Sequence, residues 1–244
     1  VGKHTDITDL VESQQKLSEE TSLAKETDNL KQSFINNISY RVRNPLVGMA
    51  KSIELMAQTD DRSVEQGQLS KVSDNVSRLL YLMDDTLFLS RIDAGMMKEY
   101  PVDVDFCQLL SDVFHETVDK YRSEKVEYGV ETSEKSLMLH IDAVLIRRVI
   151  AETVALFARF VSSGYLRMRY MYRRDTISII VETGEYIIPQ TSLKQVFQPR
   201  LVDNLMSSSD NTSGLEMAIV KSILTLLHGT IDLDSKPGHG TSAL

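Results

Sequence analysis

A single cysteine, no long apolar run and no dense basic tract mark this chain of 244 residues. With Cys107 alone, an intrachain disulfide and a thiolate metal cluster are excluded; beside Phe106 and Leu109 it reads as a small buried residue. No apolar stretch approaches the ~20 residues needed to span a bilayer, and no signal-peptide pattern opens the chain. Membrane contact from this segment is therefore not expected. Lysine and arginine total 27 against 35 acidic residues, a net charge of −8, so neither a nucleic-acid backbone nor an anionic lipid surface is an expected partner. The chain begins at Val1 rather than at methionine and is expected to be part of something longer.

What is present suffices for a real core: 42% of residues are hydrophobic and 25% charged, which at this length suits two modules. Residues 9–33 are polar and free of Gly and Pro, with Leu10, Leu17, Leu23 and Leu30 in an imperfect heptad, so a marginal coiled-coil linker helix is expected. Ile35, Ile38, Val42, Leu46, Met49, Ile53 and Met56 then follow at steps of three or four, one apolar stripe on a helix. Tyr40 lies roughly opposite that stripe, and Pro45 removes a backbone donor and is expected to kink the helix one turn later. Thr59 to Gln68 reads as a loop, and a second stripe runs through Leu69, Val72, Val76, Leu79, Met83 and Leu87. Two such helices cannot bury their stripes alone, whereas two copies can, as an antiparallel four-helix bundle.

After Tyr100-Pro101 the period changes. Strand-like segments at Val102–Phe106, Val126–Val130, Leu137–Ile141, Leu166–Tyr172 and Thr176–Val181 alternate with helical ones at Leu109–Tyr121, Asp142–Phe160 and Gly214–Leu227. That order predicts an α/β sandwich.

Ser39-Tyr40-Arg41-Val42-Arg43-Asn44-Pro45-Leu46 resembles the phosphoacceptor box of two-component sensor histidine kinases, Ser-His-Glu-(Ile/Leu)-Arg-(Thr/Asn)-Pro-Leu. Leu89-Ser90-Arg91-Ile92-Asp93-Ala94-Gly95 resembles the end of that family's dimerisation helices, and His228-Gly229-Thr230-Ile231 a segment of its ATP-binding domain. Val1 to Asp9, ending in Asp6-Ile7-Thr8-Asp9, is similar to the tail of a PAS domain. The resemblance divides the chain into a PAS-like end (1–8), a signalling linker (9–33), a dimerisation and phosphoacceptor-like hairpin (34–98) and an ATP-binding catalytic-like domain (99–244). In the family a histidine attacks the γ-phosphate of ATP, and an adjacent acid helps to deprotonate it. Here those positions hold Tyr40 and Arg41. A phenol titrates near ~10 and an imidazole near ~6.5, so the exchange removes the nucleophile.

The resemblance also implies three nucleotide boxes, each altered. The first, Asn-x-x-x-Asn, provides the magnesium ligand, and its positions become Glu152 and Leu156; leucine has no lone pair for a cation that requires oxygen ligands. Glu152 stands where distant relatives of the fold carry a general base, but Arg148 and Arg159 on its face predict a solvated ion-paired surface instead. Arg159 matches the family's basic phosphate contact. The second box, Asp-x-Gly-x-Gly, holds the adenine amino group and reads Glu182-Thr183-Gly184-Glu185-Tyr186. Either Glu182 replaces the aspartate, about 1.5 Å too long, with Gly184 retained and Tyr186 at the second glycine, or, aligned back from Pro189, Thr183 replaces it and both glycines are lost. The third, a glycine-flanked helix start that receives phosphates, reads Thr212-Ser213-Gly214-Leu215-Glu216; only Gly214 remains, and Glu216 places a carboxylate at the phosphate end. Val196-Phe197-Gln198-Pro199-Arg200 resembles the family's Phe-x-Pro-Phe with Arg200 at the second aromatic, ahead of a lid at Leu201–Asn211. His228 and His239 have no visible companion ligand, so no metal is expected.

These substitutions imply a catalytically impaired, cytoplasmic histidine kinase-like dimer, alone or as the cytoplasmic part of a membrane-anchored sensor. It would relay the state of an upstream PAS domain, with a response regulator or a partner histidine kinase as further partner, and would need no cofactor. Two alternatives stay open: a divergent kinase that binds ATP and magnesium and phosphorylates a partner, and a docking scaffold for a receiver domain.

Overall fold

The computed structural model describes residues 35–36, 38–59, 61–132, 134–174, 176–184, 186–193, 196–197 and 215–244, together with Leu17 and Thr21. The PAS-like tail, most of the linker, the lid, Glu185, Gln198 to Arg200, and Thr212 to Gly214 lie outside the described residues. Of the linker, Leu17 and Thr21 are both helical, and the Thr21 hydroxyl donates to the Leu17 carbonyl at 2.6 Å.

Two helices form the hairpin: α1 (residues 38–57) and α2 (Arg62–Asp93). The connection is shorter than the expected loop at 59–68. Asp61 starts α2 early, its carboxylate accepting from the Ser63 backbone N–H at 2.9 Å, with Glu65 in the first turn to complement the helix dipole. Residues 62–67 are thus exposed early turns of a helix rather than a loop. Helix α1 runs continuously through Pro45, which is buried. Gly48 lets the helices close up: a Cβ there would lie 3.0 Å from Asn75 Nδ2.

The α/β domain follows as β1 (Val102–Asp105), α3 (Phe106–Val118), β2 (Val126–Glu131), β3 (Met138–Ile141), α4 (Ala143–Phe160), β4 (Gly164–Arg173), β5 (Thr176–Thr183), the short α5 (Gln190–Leu193), α6 (Glu216–Leu226), β6 (Leu233–Lys236) and β7 (Gly240–Ala243). Aspartates cap both long helices here. Asp105 accepts from Cys107 and Gln108, while Asp142 accepts from Val144 and Leu145 and, through its other oxygen, from Tyr100 at 2.9 Å. Each cap satisfies otherwise orphaned N–H groups, worth ~1 kcal/mol, and Asp142 also ties the interdomain segment to α4.

The five-stranded sheet has the order β2-β4-β5-β7-β6; β2 and β4 are parallel and the other pairs antiparallel. Strands β1 and β3 form a separate antiparallel pair. One face of the sheet carries Leu166, Met168, Tyr170 and Val181 into a core shared with Phe106, Phe114, Ile150, Phe157 and Ile219 from α3, α4 and α6. The opposite face shows Arg167, Arg169 and Glu182, as the two-residue period of a strand requires. The sandwich and hairpin thus match the expected fold.

The hairpin is not detached from this core. Helix α6 packs against α2, and Leu82 and Leu89 of α2 are buried in the same cluster. The other long face of α2 stays open: Val76, Leu80, Met83 and Leu87 are all exposed, Leu80 and Met83 each at 53%. Among the described residues no helix is long and apolar enough to cross a membrane.

Candidate functional site

Tyr40 is 49% exposed on α1, next to exposed Ser39 and half-buried Arg41, with Asn44 exposed one turn on. Of the apolar stripe, Ile38, Val42, Met49 and Met56 are half-buried, whereas Ile35, Leu46 and Ile53 are exposed in the single chain, as Tyr40 is.

The other expected residues divide between two places. Arg148, Glu152, Leu156 and Arg159 follow at steps of four, four and three, which brings them to one face of α4. Leu156 is buried at 8% exposure. Arg159 is engaged by α3's end: its Nε donates to the Tyr121 hydroxyl at 3.1 Å and its guanidinium lies 5.6 Å from the Tyr121 ring centre. Beyond it, the rings of Phe160 and Tyr186 stack at 4.8 Å, 9° from parallel, and burial pushes the Tyr186 phenol up to about 12. Glu216 is buried in the first turn of α6, where Leu215 offers no side-chain cap, so its charge faces the helix's unsatisfied N–H end.

Glu152 is not on a solvated face, contrary to expectation. It is largely enclosed, and its carboxyl is pushed up to about 7, first by desolvation and then by the Glu216 and Asp85 charges, against the opposing pull of Arg148 and Arg159. The pairing with Arg148 that the sequence pattern predicted is present, Nε to carboxylate at 4.0 Å, but the shorter bond of Arg148 runs from its Nη2 to Asp85 of α2. The tertiary neighbour wins because the hairpin covers this end of α4.

The sign of the pH effect follows. The folded state holds a proton on Glu152 that the unfolded chain has released between its ordinary value, about 4.5, and about 7. Stability falls as pH rises through that window and stays at its lower level above it. Glu152→Gln should therefore gain stability over the parent at pH 8 relative to pH 5, by up to about 3 kcal/mol at about 1.4 kcal/mol per pKa unit. Urea melts at the two pH values measure this; an equal effect at both would contradict it.

Glu182 lies apart from this group. Its side chain is on the open face of the sheet and pairs with Arg169 at 3.2 Å. Thr183, one residue on, points to the helix side, is 1% exposed, and has a hydroxyl without a hydrogen-bond partner among the described residues. The strand's alternation separates the two residues: Thr183 lies on the buried face of the sheet and Glu182 on the open one. Gly184 is held close to Tyr165, where a Cβ would lie 2.7 Å from the ring. Gly214 is outside the described residues. His228 ends α6 in the left-handed region at φ 58°, with Gly229 N–H bonding the Leu224 carbonyl at 2.7 Å, a helix-terminating turn and not a ligand array. It also lines an apolar cavity of about 370 Å³ together with Ile146, Ile177 and Leu244, away from the face of α4 that bears Glu152.

Two residues that the sequence reading passed over belong to the site: Asp85 and Phe88. Leu82, Asp85 and Leu89 recur at steps of three and four opposite the exposed stripe. A carboxylate inside an apolar row was the available signal.

Comparison with known proteins accords with this layout. The model of the His Kinase A (phospho-acceptor) domain matches residues 30–95, and that of the histidine kinase-, DNA gyrase B- and HSP90-like ATPase matches residues 141–244. The alginate biosynthesis sensor protein KinB of Pseudomonas aeruginosa is 26% identical over 217 residues, covering 87% of this chain and 36% of its own length. The sensor protein DivL of Caulobacter vibrioides is 26% identical over 243 residues, 97% of this chain and 30% of its own. The chain thus spans about a third of either relative. Among solved structures, the histidine kinase ThkA in complex with the response regulator protein TrrA superposes with a TM-score of 0.68 at 17% identity, over 99% of this chain and 66% of that one, a likeness of fold. With a phosphoacceptor-type hairpin and an ATPase-type domain joined in that order, the chain belongs to the two-component histidine kinases, of which it forms the core.

Proposed function

We propose that this core is a catalytically impaired signal-transduction module, which relays an upstream state through a dimeric hairpin without phosphorylating itself. The observation that carries the proposal is Tyr40: exposed at the phosphoacceptor position of the matched domain, it offers a phenol where the reaction needs an imidazole.

The nucleotide side points the same way. Magnesium needs oxygen ligands in octahedral array, and the position that should supply one holds the buried apolar Leu156. A triphosphate needs positive potential at the start of α6, where Glu216 already sits, buried and near Glu152. Thr183 offers a hydroxyl but no carboxylate at the base-binding position. The residues present do not fit a magnesium–nucleotide.

In the proposed assembly the hairpin (34–98) pairs with a second copy, and the ATPase-type domain (99–244) serves as a docking or reporting element. The exposed apolar face of α2 supports the pairing. A PAS domain and coiled-coil linker upstream would provide the input, and a response regulator or partner histidine kinase would receive the output from a cytoplasmic location. The response regulator bound in the ThkA complex makes that partner class the first to test.

Incubation with labelled ATP and magnesium should leave no acid-labile phosphate on the chain, and Tyr40→His alone should not restore it. Label on His115 or His140, both exposed, or activity in the Tyr40→His chain, would instead establish a divergent kinase.

A further inference from the structure

The contact between the two domains has a polar centre that the kinase fold does not explain. Arg148 projects from α4 toward α2, where its Nη2 bonds the Asp85 carboxylate and its guanidinium carbon lies 4.1 Å above the centre of the Phe88 ring. Asp85 is only 9% exposed and is flanked by buried Leu82 and Leu89. This pair is costly to break, because the Asp85 carboxylate would stay enclosed beside Leu82 and Leu89 without the guanidinium's charge. Arg148 has a second acceptor, however. Glu152, one turn on along its own helix, stands 4.0 Å from Arg148 Nε. The remaining charged neighbours of Glu152 are Glu216 on α6 and Arg159 on α4.

We propose that Arg148 is an interdomain clasp with two positions, gripping Asp85 and Phe88 of α2 when the ATPase-type domain is docked on the hairpin and passing to Glu152 when it is released. Charge complementarity and the stacked ring fix one docked arrangement, and the i, i+4 carboxylate lets the domain leave without stranding a cation. A shift of α2 that withdraws Asp85 by a few ångströms would then be read directly as release of the domain. The clasp rests on the docked geometry alone and is independent of the catalytic proposal, since its test contains no nucleotide.

The two acceptors make opposite predictions. Spin labels on Lys71→Cys in α2 and Lys120→Cys after α3, both exposed positions, in a Cys107→Ala background, report the interdomain distance; excess unlabelled chain restricts the signal to pairs within one chain. The parent should give one narrow distribution. Asp85→Asn, which lies outside the ATPase-type domain and leaves its core intact, should raise the undocked population roughly tenfold or more, and Arg148→Met should do the same with no further increase in the double variant. Glu152→Gln removes the competing acceptor and should leave the undocked population equal to or below the parent's. A parent-like distribution in Asp85→Asn, additive effects of Asp85→Asn and Arg148→Met, or an increase in undocking by Glu152→Gln would each overturn the clasp. Unchanged circular dichroism in every variant ensures that docking, and not folding, is being read.

Discussion

Magnesium–ATP titrated into this chain at millimolar concentration should give no calorimetric signal. Two features act together. Under the proposed function the metal loses a ligand at Leu156, whose side chain is packed into the domain at 8% exposure, so water cannot readily take the missing place. At Glu216 a buried carboxylate occupies the first turn of α6, where it satisfies the helix dipole and repels the phosphates that would otherwise do so. One lost ligand and one repulsive charge together are expected to cost ~4 kcal/mol, about a thousandfold in affinity. Binding tighter than about 100 μM would refute the impaired reading and promote the divergent kinase. The double variant Leu156→Asn, Glu216→Gly should recover part of the affinity, because the surrounding sandwich is intact. Removal of Glu216 also relieves Glu152, which feels its charge more strongly than that of any other residue.

The second large effect concerns assembly. At micromolar concentration the chain should sediment as a dimer, and Met83→Asp should dissociate it. Val76, Leu80, Met83 and Leu87 follow at steps of four, three and four along α2 and are all exposed in the single chain. The opposite row, Leu82, Asp85 and Leu89, is already covered by the ATPase-type domain. A second copy is the proposed cover for the open row, and a carboxylate placed in its middle would be buried unpaired, at a cost of several kcal/mol. Leu82→Asp is the contrasting control, since it should disturb docking within the chain and spare the dimer. A monomeric parent, or a Met83→Asp chain that remains fully dimeric, would remove the four-helix bundle from the proposal.

Much of this molecule is legible in its sequence, for a local reason. Helices and strands declare themselves through the spacing of apolar residues, so the hairpin, the change of period after Pro101 and the sandwich could all be read from Leu, Ile and Val positions. Caps are equally local: Asp105 and Asp142 stand at the start of helices because a short carboxylate reaches N–H groups two and three residues ahead. Asp61 was misread only because the residues after it are polar, and an exposed first turn has no apolar signal to distinguish it from a loop. The tyrosine at position 40 is likewise a statement about one side chain, and its solvent exposure followed from helical phase.

Pairing, by contrast, depends on what folding brings near, and there the tertiary structure decided. Periodicity put Arg148 and Glu152 on one face of α4, but it could not say that Asp85, 63 residues earlier, would come closer and take the guanidinium. Arg159 could be aligned with a phosphate contact, whereas its partner proved to be the Tyr121 hydroxyl, 38 residues away. The second box had two alignments, one residue apart, and a strand turns such a difference into opposite faces of a sheet; only the register of β5 against β4 and β7 puts Thr183 inward and Glu182 outward. Sequence alone determined the elements and the tyrosine at position 40, since both follow from residue identity and spacing. Which charges meet, and which are buried, was decided by the docking of the hairpin on α4 and α6, because desolvation and Coulomb attraction act through space and not along the chain.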